Sequence, residues 1–531
     1  MELHQTESGR RHRVSSCRGR VHLAVAAVAL VLVAAACSSM SRHALTVQGS
    51  GQSPSGGGGP LSSAGGQAAA AIAARNGLSA NAGSHAGSNA NTGSAGSGAG
   101  SNAASSPGGG LGTPAGSPHL ATGPGAIGVT DTTVSLGFLT ADATQFAAAA
   151  TAVGYNFNPS SYQNIDATAE TMAIVNYVNA HGGLAGRKIV PVFYKTNIQN
   201  LVTRSGREQE AQSACATYTE DHHVFSFNSS KSYTEDNIIQ CAIDHKTVLV
   251  DTYFQGAQLT RSRLQQAVPY WYGLSKMLAE RREQTQVDEL AKGGYFDKGA
   301  KVGVLTENVP MSKESFAKGL RPALAAHGIP VTAEAVYPDV IDSPWQNYVL
   351  QFEQAGVNHV LFSTSTYEWW TGVMFMRAAE SQGYHPRYGL TTDVDPGGDF
   401  PSNAPKAQLN GALAVGWIPQ ADTGAQLSGP QYALCMKIEK DAGQEGLALG
   451  PTTCEYLNFL QAALSRAPEF SASGLEAGAA ALGKSFQSIW VPLEDFGAGR
   501  FDGVSEVRTT AFDNSCGCFN KYNSPPTPAS Q

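Results

Sequence analysis

Val175-Asn-Tyr-Val-Asn-Ala-His-Gly-Gly-Leu-Ala-Gly-Arg-Lys-Ile-Val-Pro-Val-Phe-Tyr194 reads as the end of a helix, a tight loop and a buried strand. Upstream, Ile165, Ala169, Met172, Val175 and Val178 or Asn179 follow the three-and-four spacing of a helix that buries one face. Gly182-Gly183 stops that helix, because glycine enters the left-handed conformation that ties off the last carbonyls and lets the chain turn back. Lys188–Tyr194 then carries the β-branched and aromatic residues of a strand covered on both faces. The unit is helix, loop, parallel strand.

The same unit recurs. The spacing predicts strands over Val134–Leu139, Lys188–Tyr194, Val224–Asn228, Thr247–Asp251, Lys301–Thr306, Val331–Val336, His359–Ser363 and Arg387–Thr391. Helices are predicted between them, over Arg204–Thr219, Thr234–Ile243, Lys276–Lys292, Lys313–His327, Trp345–Ala355 and Glu368–Gln382. Such alternation implies parallel sheets with helices on both faces and right-handed crossovers. Ala267-Val-Pro-Tyr-Trp-Tyr-Gly273 places proline and aromatics where a helix is due, so a crossing between two lobes is expected there. A second crossing is expected near Leu413–Ile418, with helices near Gly429–Ala442 and Thr452–Ala467 returning to the first lobe.

At 531 residues and 42% hydrophobic, the chain has material for two domains or lobes. No acidic residue lies between Glu7 and Asp131, so 40 of the 42 carboxylates but 28 of the 35 Lys and Arg fall in the folded part. That part is acidic overall, the wrong sign for a general nucleic-acid binder, which needs a basic face to displace counterions.

The first 37 residues read as a targeting signal. Arg10, Arg11, Arg13, Arg18 and Arg20 precede the run Val21–Ala36, interrupted by His22 and too short to span a bilayer comfortably. Ala34-Ala35-Ala36-Cys37-Ser38-Ser39 resembles the bacterial lipoprotein signal, with alanine at position 34 where that signal prefers leucine. The resemblance implies acylation of Cys37 and anchoring to the cell membrane; an ordinary cleaved signal is the alternative. Residues 38–127 are a low-complexity segment dominated by Gly, Ser, Ala and Asn, with charge at Arg42 and Arg75. Such a segment buries too little apolar surface to order itself, and as a flexible tether it reaches roughly 50–57 Å.

From Gly128, Gly-Val-Thr-Asp-Thr-Thr-Val-Ser-Leu-Gly, followed about fifty residues on by Val178-Asn-Ala-His-Gly-Gly-Leu-Ala-Gly-Arg-Lys-Ile189, resembles the opening of type I periplasmic binding proteins of the leucine/isoleucine/valine-binding kind. The resemblance covers about Gly128 to Asp513. It implies an α/β fold of two doubly wound parallel-sheet lobes joined by a multi-strand hinge, with a small ligand captured between them. The expected division is lobe 1 over 128–268, lobe 2 over 269–415, a return to lobe 1 and the hinge over 416–515, and a C-terminal tail over 516–531. Open parallel sheets collect ligands outside their strands' carboxyl ends.

Carried over residue by residue, the resemblance implies a ligand contact at Ser229 and Ser230, where a plain helix cap is the alternative, and another at Thr252 and Tyr253. In the second lobe it implies Tyr367, and Asp393 or Asp395 for an amino group, although Asp395 and the two glycines after Pro396 also suit a surface turn. The loop Glu307–Ser312 lacks the tyrosine of amino-acid binders, and Asp251 stands where they have small residues. Tyr253, Phe254, Tyr367, Trp369 and Trp370 offer an apolar or ring-stacking pocket.

Without Cys17 and Cys37, six cysteines remain, which allow fifteen pairings. The resemblance implies Cys215–Cys241 between helices of the first lobe, and Cys435–Cys454 would join neighbouring helices. Cys516 and Cys518 then form a small ring or stay free. His222-His223 gives no ligand spacing with the cysteines, so no metal or other cofactor is expected. Gly478-Ala-Ala-Ala-Leu-Gly-Lys-Ser485 matches the phosphate-loop letters, but Ser473-Gly-Leu-Glu476 looks like a helix start and makes the alanine run helical. No nucleophile elbow occurs, and catalysis is not expected. The expectation is a monomeric, extracytoplasmic solute-binding lipoprotein serving an ABC transporter permease, with a ligand-sensing lipoprotein as the alternative.

Overall fold

The computed structural model describes residues 111–113, 119–141, 145, 167–229, 236–252, 258–364, 368–444 and 449–531. In chain order these residues form β1 (Thr133–Ala141), α1 (Ala167–Ala180), β2 (Lys188–Thr196), α2 (Arg204–Cys215), β3 (Ser226–Asn228), α3 (Asp236–Asp244), β4 (Val248–Asp251), α4 (Arg261–Ala267) and β5 (Trp271–Gly273). There follow α5 (Ala279–Lys292), β6 (Val302–Glu307), α6 (Pro310–Ser315), α7 (Arg321–Ala326), β7 (Val331–Tyr337), α8 (Trp345–Gln354), β8 (His359–Ser363), α9 (Glu368–Ser381), β9 (Arg387–Thr391) and β10 (Leu413–Gly416). The chain ends with α10 (Pro430–Asp441), α11 (Leu449–Leu464), α12 (Ala472–Leu482), β11 (Glu506–Ala511) and β12 (Thr527–Pro528).

Two sheets result. The first has the order β2-β1-β3-β4-β5 and is parallel throughout. The second has the order β12-β11-β10-β9-β8-β6-β7, parallel except where β11 and β12 run antiparallel at one edge. Strand order reverses between β1 and β3 in one sheet and between β6 and β8 in the other, the places where open sheets leave a crevice.

The α1–β2 unit closes as its sequence requires. Gly182 and Gly183 have φ of 93° and 68°, and the Gly183 N–H reaches back to the Val178 carbonyl at 2.9 Å. The buried face of α1 runs through Ala167, Glu170, Thr171, Ile174, Val175 and Val178. It is rotated from the expected stripe: Ala169 and Met172 are half-buried, because two polar side chains turn inward instead. Ile165 lies outside the described residues.

Several expected boundaries move. Residues 119–127, placed in the 38–127 linker, pack on the body, as do residues 111–113. Thr113 N–H donates to the Gly183 carbonyl at 3.0 Å, Gly123 N–H to that of Phe470 at 3.1 Å, and Leu111 is buried. Arg187 is the clamp: its Nε donates to the Thr130 carbonyl at 2.7 Å, a second nitrogen to Thr122 at 2.9 Å, and its guanidinium lies over the Phe470 ring.

The 128–268 and 269–415 division also shifts. Trp271–Gly273 of the expected crossing is a strand of the first sheet, paired with β4, and the chain passes over immediately after it. Leu413–Gly416, also expected as a crossing, is likewise a strand before the chain passes at Trp417. Within 416–515, β11 joins the second sheet rather than the first. The 516–531 segment is no loose tail: β12 pairs with β11, Phe519 and Ala529 are buried, and the Tyr522 hydroxyl donates to Asp422 at 2.7 Å.

Helix α12 is capped by Ser471, whose hydroxyl accepts the Gly474 N–H at 2.9 Å, and not by Ser473. Gly478 therefore lies inside a helix. A Cβ there would sit 2.0 Å from the Ala463 carbonyl oxygen, so the glycine permits close packing of α12 on α11 and cradles no phosphate.

Candidate functional site

Three segments pass side by side between the sheets, and Ser275 knits them together. Its N–H donates to Glu494 at 2.7 Å, its carbonyl accepts the Trp417 indole N–H at 2.9 Å, and its φ is 61°. Asp502 accepts the Leu278 N–H at 2.8 Å and pairs with Arg281 at 2.7 Å. Burial drives the Glu494 carboxyl well above the usual range, and neighbouring Glu455 adds to it. A neutral carboxyl suits its role of holding a backbone N–H in a dry junction.

Beyond this junction a buried polar cluster links the carboxyl edges of the two sheets. Asp251 ends β4 and pairs with Lys276 at 3.3 Å; both are fully buried. Asp393 follows β9 in a short turn capped by the Thr391 hydroxyl. Arg282, on α5, donates to Asp393 at 2.8 Å, to Glu368 at 3.1 Å, to Glu283 at 3.1 Å and to the Thr364 carbonyl at 3.1 Å. Gln258, from the first sheet's side, donates to Asp393. Ser315 and Ser363 donate to Glu283 at 3.0 and 2.7 Å.

Four carboxylates thus surround two cations. Burial raises Glu368 to about 8, with Asp393 and Glu283 adding to the rise against Arg282, so it carries a proton at neutral pH. Burial would lower the Arg282 pKa, but Glu283, Asp393 and Glu368 outweigh it and raise it. Lys276 is lowered by burial, partly offset by Asp251 and then Asp393.

Farther out, α2 meets the ends of β6 and β7. Arg204 pairs with Glu307 at 2.8 Å and gives its N–H to Asp339 at 2.8 Å, and Arg207 pairs with Asp339 at 3.4 Å. Thr260 and Ser262, at the start of α4, donate to Glu314 at 2.9 and 2.7 Å.

Of the residues proposed from sequence, Ser229 is buried directly after β3, and Thr252 directly after β4. The Thr252 hydroxyl has no hydrogen-bond partner among the described residues. Asp393 is in the cluster, where Arg282 and Gln258 share its Oδ2. Asp395 has left-handed backbone (φ 55°), and its carboxylate lies over Gly398 of its own turn. Cys37, Ser230, Tyr253, Phe254 and Tyr367 lie outside the described residues.

Cys215 is bonded to Cys241, Cys435 to Cys454 and Cys516 to Cys518. Among the described residues no group of three or more His, Cys, Asp or Glu is arranged to hold a metal ion. Lys276, Arg282, Glu283 and Glu368 were not singled out by sequence, because charged residues on a helix ordinarily face solvent.

No protein-family model matches the sequence, and no curated protein matches it. Solved structures do share its architecture. A solute-binding protein of an ABC transporter from Rhodopseudomonas palustris BisB5, in complex with 3,4-dihydroxybenzoic acid, aligns with a TM-score of 0.51 at 14% identity over 75% of this chain and 98% of its own. A fatty acid ABC transporter substrate-binding protein from Thermomonospora curvata aligns at 0.50 and 18% identity over 78% and 94%. A third, from Rhodopseudomonas palustris HaA2 with p-hydroxybenzoic acid, aligns at 0.50 and 10% identity over 75% and 98%. The fold is that of type I periplasmic solute-binding proteins.

Proposed function

We propose, from that fold, that this protein is an extracytoplasmic solute-binding lipoprotein, anchored through Cys37, that captures a small polar or amphipathic ligand between two lobes for an ABC importer. The observation that carries the reading is the buried cluster joining Asp251 of the first sheet to Asp393 of the second through Lys276, Arg282 and Gln258. Carboxyl edges of two open parallel sheets face each other there, the place where such sheets hold ligands. Ser229, Ser230, Thr252, Tyr253, Tyr367 and Asp393 are the proposed contacts.

The mechanism is closure. Ligand groups that touch both lobes favour the closed state by their differential affinity for it, and the closed face is what a permease reads. One Asp393 oxygen already serves Arg282 and Gln258, which weakens Asp393 as a partner for an amino group and favours a ligand with hydroxyl or acid groups and an apolar body over a zwitterionic amino acid. The similar solute-binding proteins in complex with 3,4-dihydroxybenzoic acid and p-hydroxybenzoic acid, and the fatty acid substrate-binding protein, support that class.

The test is native mass spectrometry of the chain without its signal, purified with minimal washing, followed by small-molecule analysis of what it releases. Thr252→Val keeps the side chain's shape and breaks no bond to a described residue. It is expected to weaken the retained ligand about tenfold, the worth of one hydrogen bond in a buried site, at unchanged melting temperature. Retention unaffected by Thr252→Val would remove that hydroxyl from the site, and a ligand found elsewhere than the cleft would overturn the reading.

A further inference from the structure

We infer that Cys516-Gly517-Cys518 is a thiol–disulfide exchange site, separate from the cleft. Cys516 is the sulfur that exchanges with a thiol or dithiol of an exported partner, and Cys518 is the sulfur that leaves as the mixed disulfide forms and that recloses the ring in the reverse direction. The other two disulfides join helices, across 26 and 19 positions, and Cys241, Cys435 and Cys454 are buried. The third spans 2 positions, with Cys516 exposed and Cys518 half-buried. A crosslink that restricts the unfolded chain stabilises more as its loop lengthens. This ring has the least of that effect and ties no two elements together, so stapling does not account for it. Exposed disulfides are also the labile ones.

The turn that carries the two sulfurs is held by other means. Asp513 N–H donates to the Cys518 carbonyl and Gly517 N–H to the Asp513 carbonyl, both at 2.8 Å. The Asp513 carboxylate accepts the Ser515 N–H at 2.9 Å and its hydroxyl at 2.6 Å, and the Phe512 and Phe519 rings pack 5.5 Å apart beneath. Because none of these bonds involves sulfur, the turn persists when the disulfide opens, and the two thiols stay within reach of each other. Reclosure is then intramolecular, at high effective concentration.

The surroundings distinguish the two sulfurs. Asn520 Nδ2 donates to Cys516 Sγ at 3.4 Å. Lys406 Nζ lies 3.0 Å from where a Cβ on Gly517 would stand, and Gly517 has φ of 65°. Cys516 Sγ also lies 3.5 and 3.7 Å from the Asp513 and Cys518 carbonyl oxygens, and its residue is exposed where Cys518 is half-buried, so an incoming thiol meets Cys516 first.

The exchange balances. A partner thiolate attacks Cys516 Sγ, the bond to Cys518 breaks, and Cys518 leaves as a thiolate that takes a proton. The partner's second thiolate then attacks its own sulfur in the mixed disulfide, and Cys516 leaves with the electron pair, held by Asn520. Two electrons pass from the partner dithiol to the Cys516–Cys518 pair, and the partner gains a disulfide; the reverse reduces a partner disulfide.

The test uses the chain without its signal and glutathione as the probe, with alkylation and peptide mass spectrometry as the readout. Cys516–Cys518 is expected to open at glutathione ratios that leave the other two bridges intact. Cys518→Ser, which leaves Cys516 alone, is expected to form a mixed disulfide with oxidised glutathione about tenfold faster than Cys516→Ser, and Asn520→Ala to slow it. If the ring opens no sooner than Cys435–Cys454, the inference fails on the wild-type chain alone, and equal rates for the two serine variants would overturn the roles of the sulfurs.

Discussion

Replacing Arg282 by methionine tests whether the buried cluster is held by charge. The guanidinium is fully buried and touches Glu283, Glu368 and Asp393 at 3.1, 3.1 and 2.8 Å. Taking away one partner of a buried ion pair costs about 3–5 kcal/mol, because the charges left behind have lost both water and counterion. Glu283 and Asp393 would be left without that cation. Urea unfolding at pH 8 measures this directly. Asp393→Asn added to Arg282→Met should recover about 1–2 kcal/mol at pH 8, since it removes one of the stranded charges. A cost below about 1 kcal/mol would refute the reasoning and make Arg282 a packing residue.

Two further outcomes follow from the same structure. Burial raises Glu368 to about 8 and Asp422 and Glu455 to about 7. The folded chain therefore holds protons that the unfolded chain releases above about pH 4.5. That contribution to stability is full below pH 4.5 and is lost as pH rises through 7 to 8, at about 1.4 kcal/mol per unit for each group. The melting temperature should fall between pH 5 and pH 8, and Glu368→Gln should flatten part of the fall; a rise over that range would show that other groups govern. The contacts of Arg204 and Arg207 with Glu307 and Asp339 join the first sheet's helix to the second sheet's edge. Arg204→Met with Arg207→Met should cost the closed state about 1–2 kcal/mol, a factor of roughly 5–30 in the open-to-closed ratio. Small-angle scattering of the ligand-free protein should then report a larger radius of gyration, and an unchanged profile would take these pairs out of closure.

The strands that were legible in the sequence were those flanked by turn residues and covered on both faces, such as His359–Ser363 and Arg387–Thr391. Trp271–Gly273 was hidden because Pro269 and three aromatics look like an interruption, and a strand of three residues carries no period to read. β11 was hidden for a different reason: Glu506-Val-Arg-Thr-Thr-Ala511 is an antiparallel strand toward a sheet edge, whose polar side chains break the apolar run that marks a parallel strand. The family resemblance pointed to Thr252 and Asp393, which lie just past the ends of β4 and β9, where an open sheet presents residues to a ligand; Asp251 stood out only as a carboxylate where amino-acid binders have small residues.

The cations of the cluster were not legible, and the reason bears on how the protein works. Asp251 and Asp393 stand on the two sheets, but Lys276 follows Ser275 in the first crossing segment and Arg282 begins the helix after it. Helix α5 reads as a solvent-facing charged helix, yet it buries Glu280, Arg281, Arg282, Glu283 and Glu289, because it runs where the two sheets and three crossing segments converge. A rotation of one sheet against the other about that junction must move Lys276 relative to at least one of the two carboxylates it lies between. The junction's geometry and the site's electrostatics are therefore one mechanical unit. Under the closure proposed above, a ligand that changes the balance around Lys276 would bias the rotation, and the state of the junction would set how well the site binds.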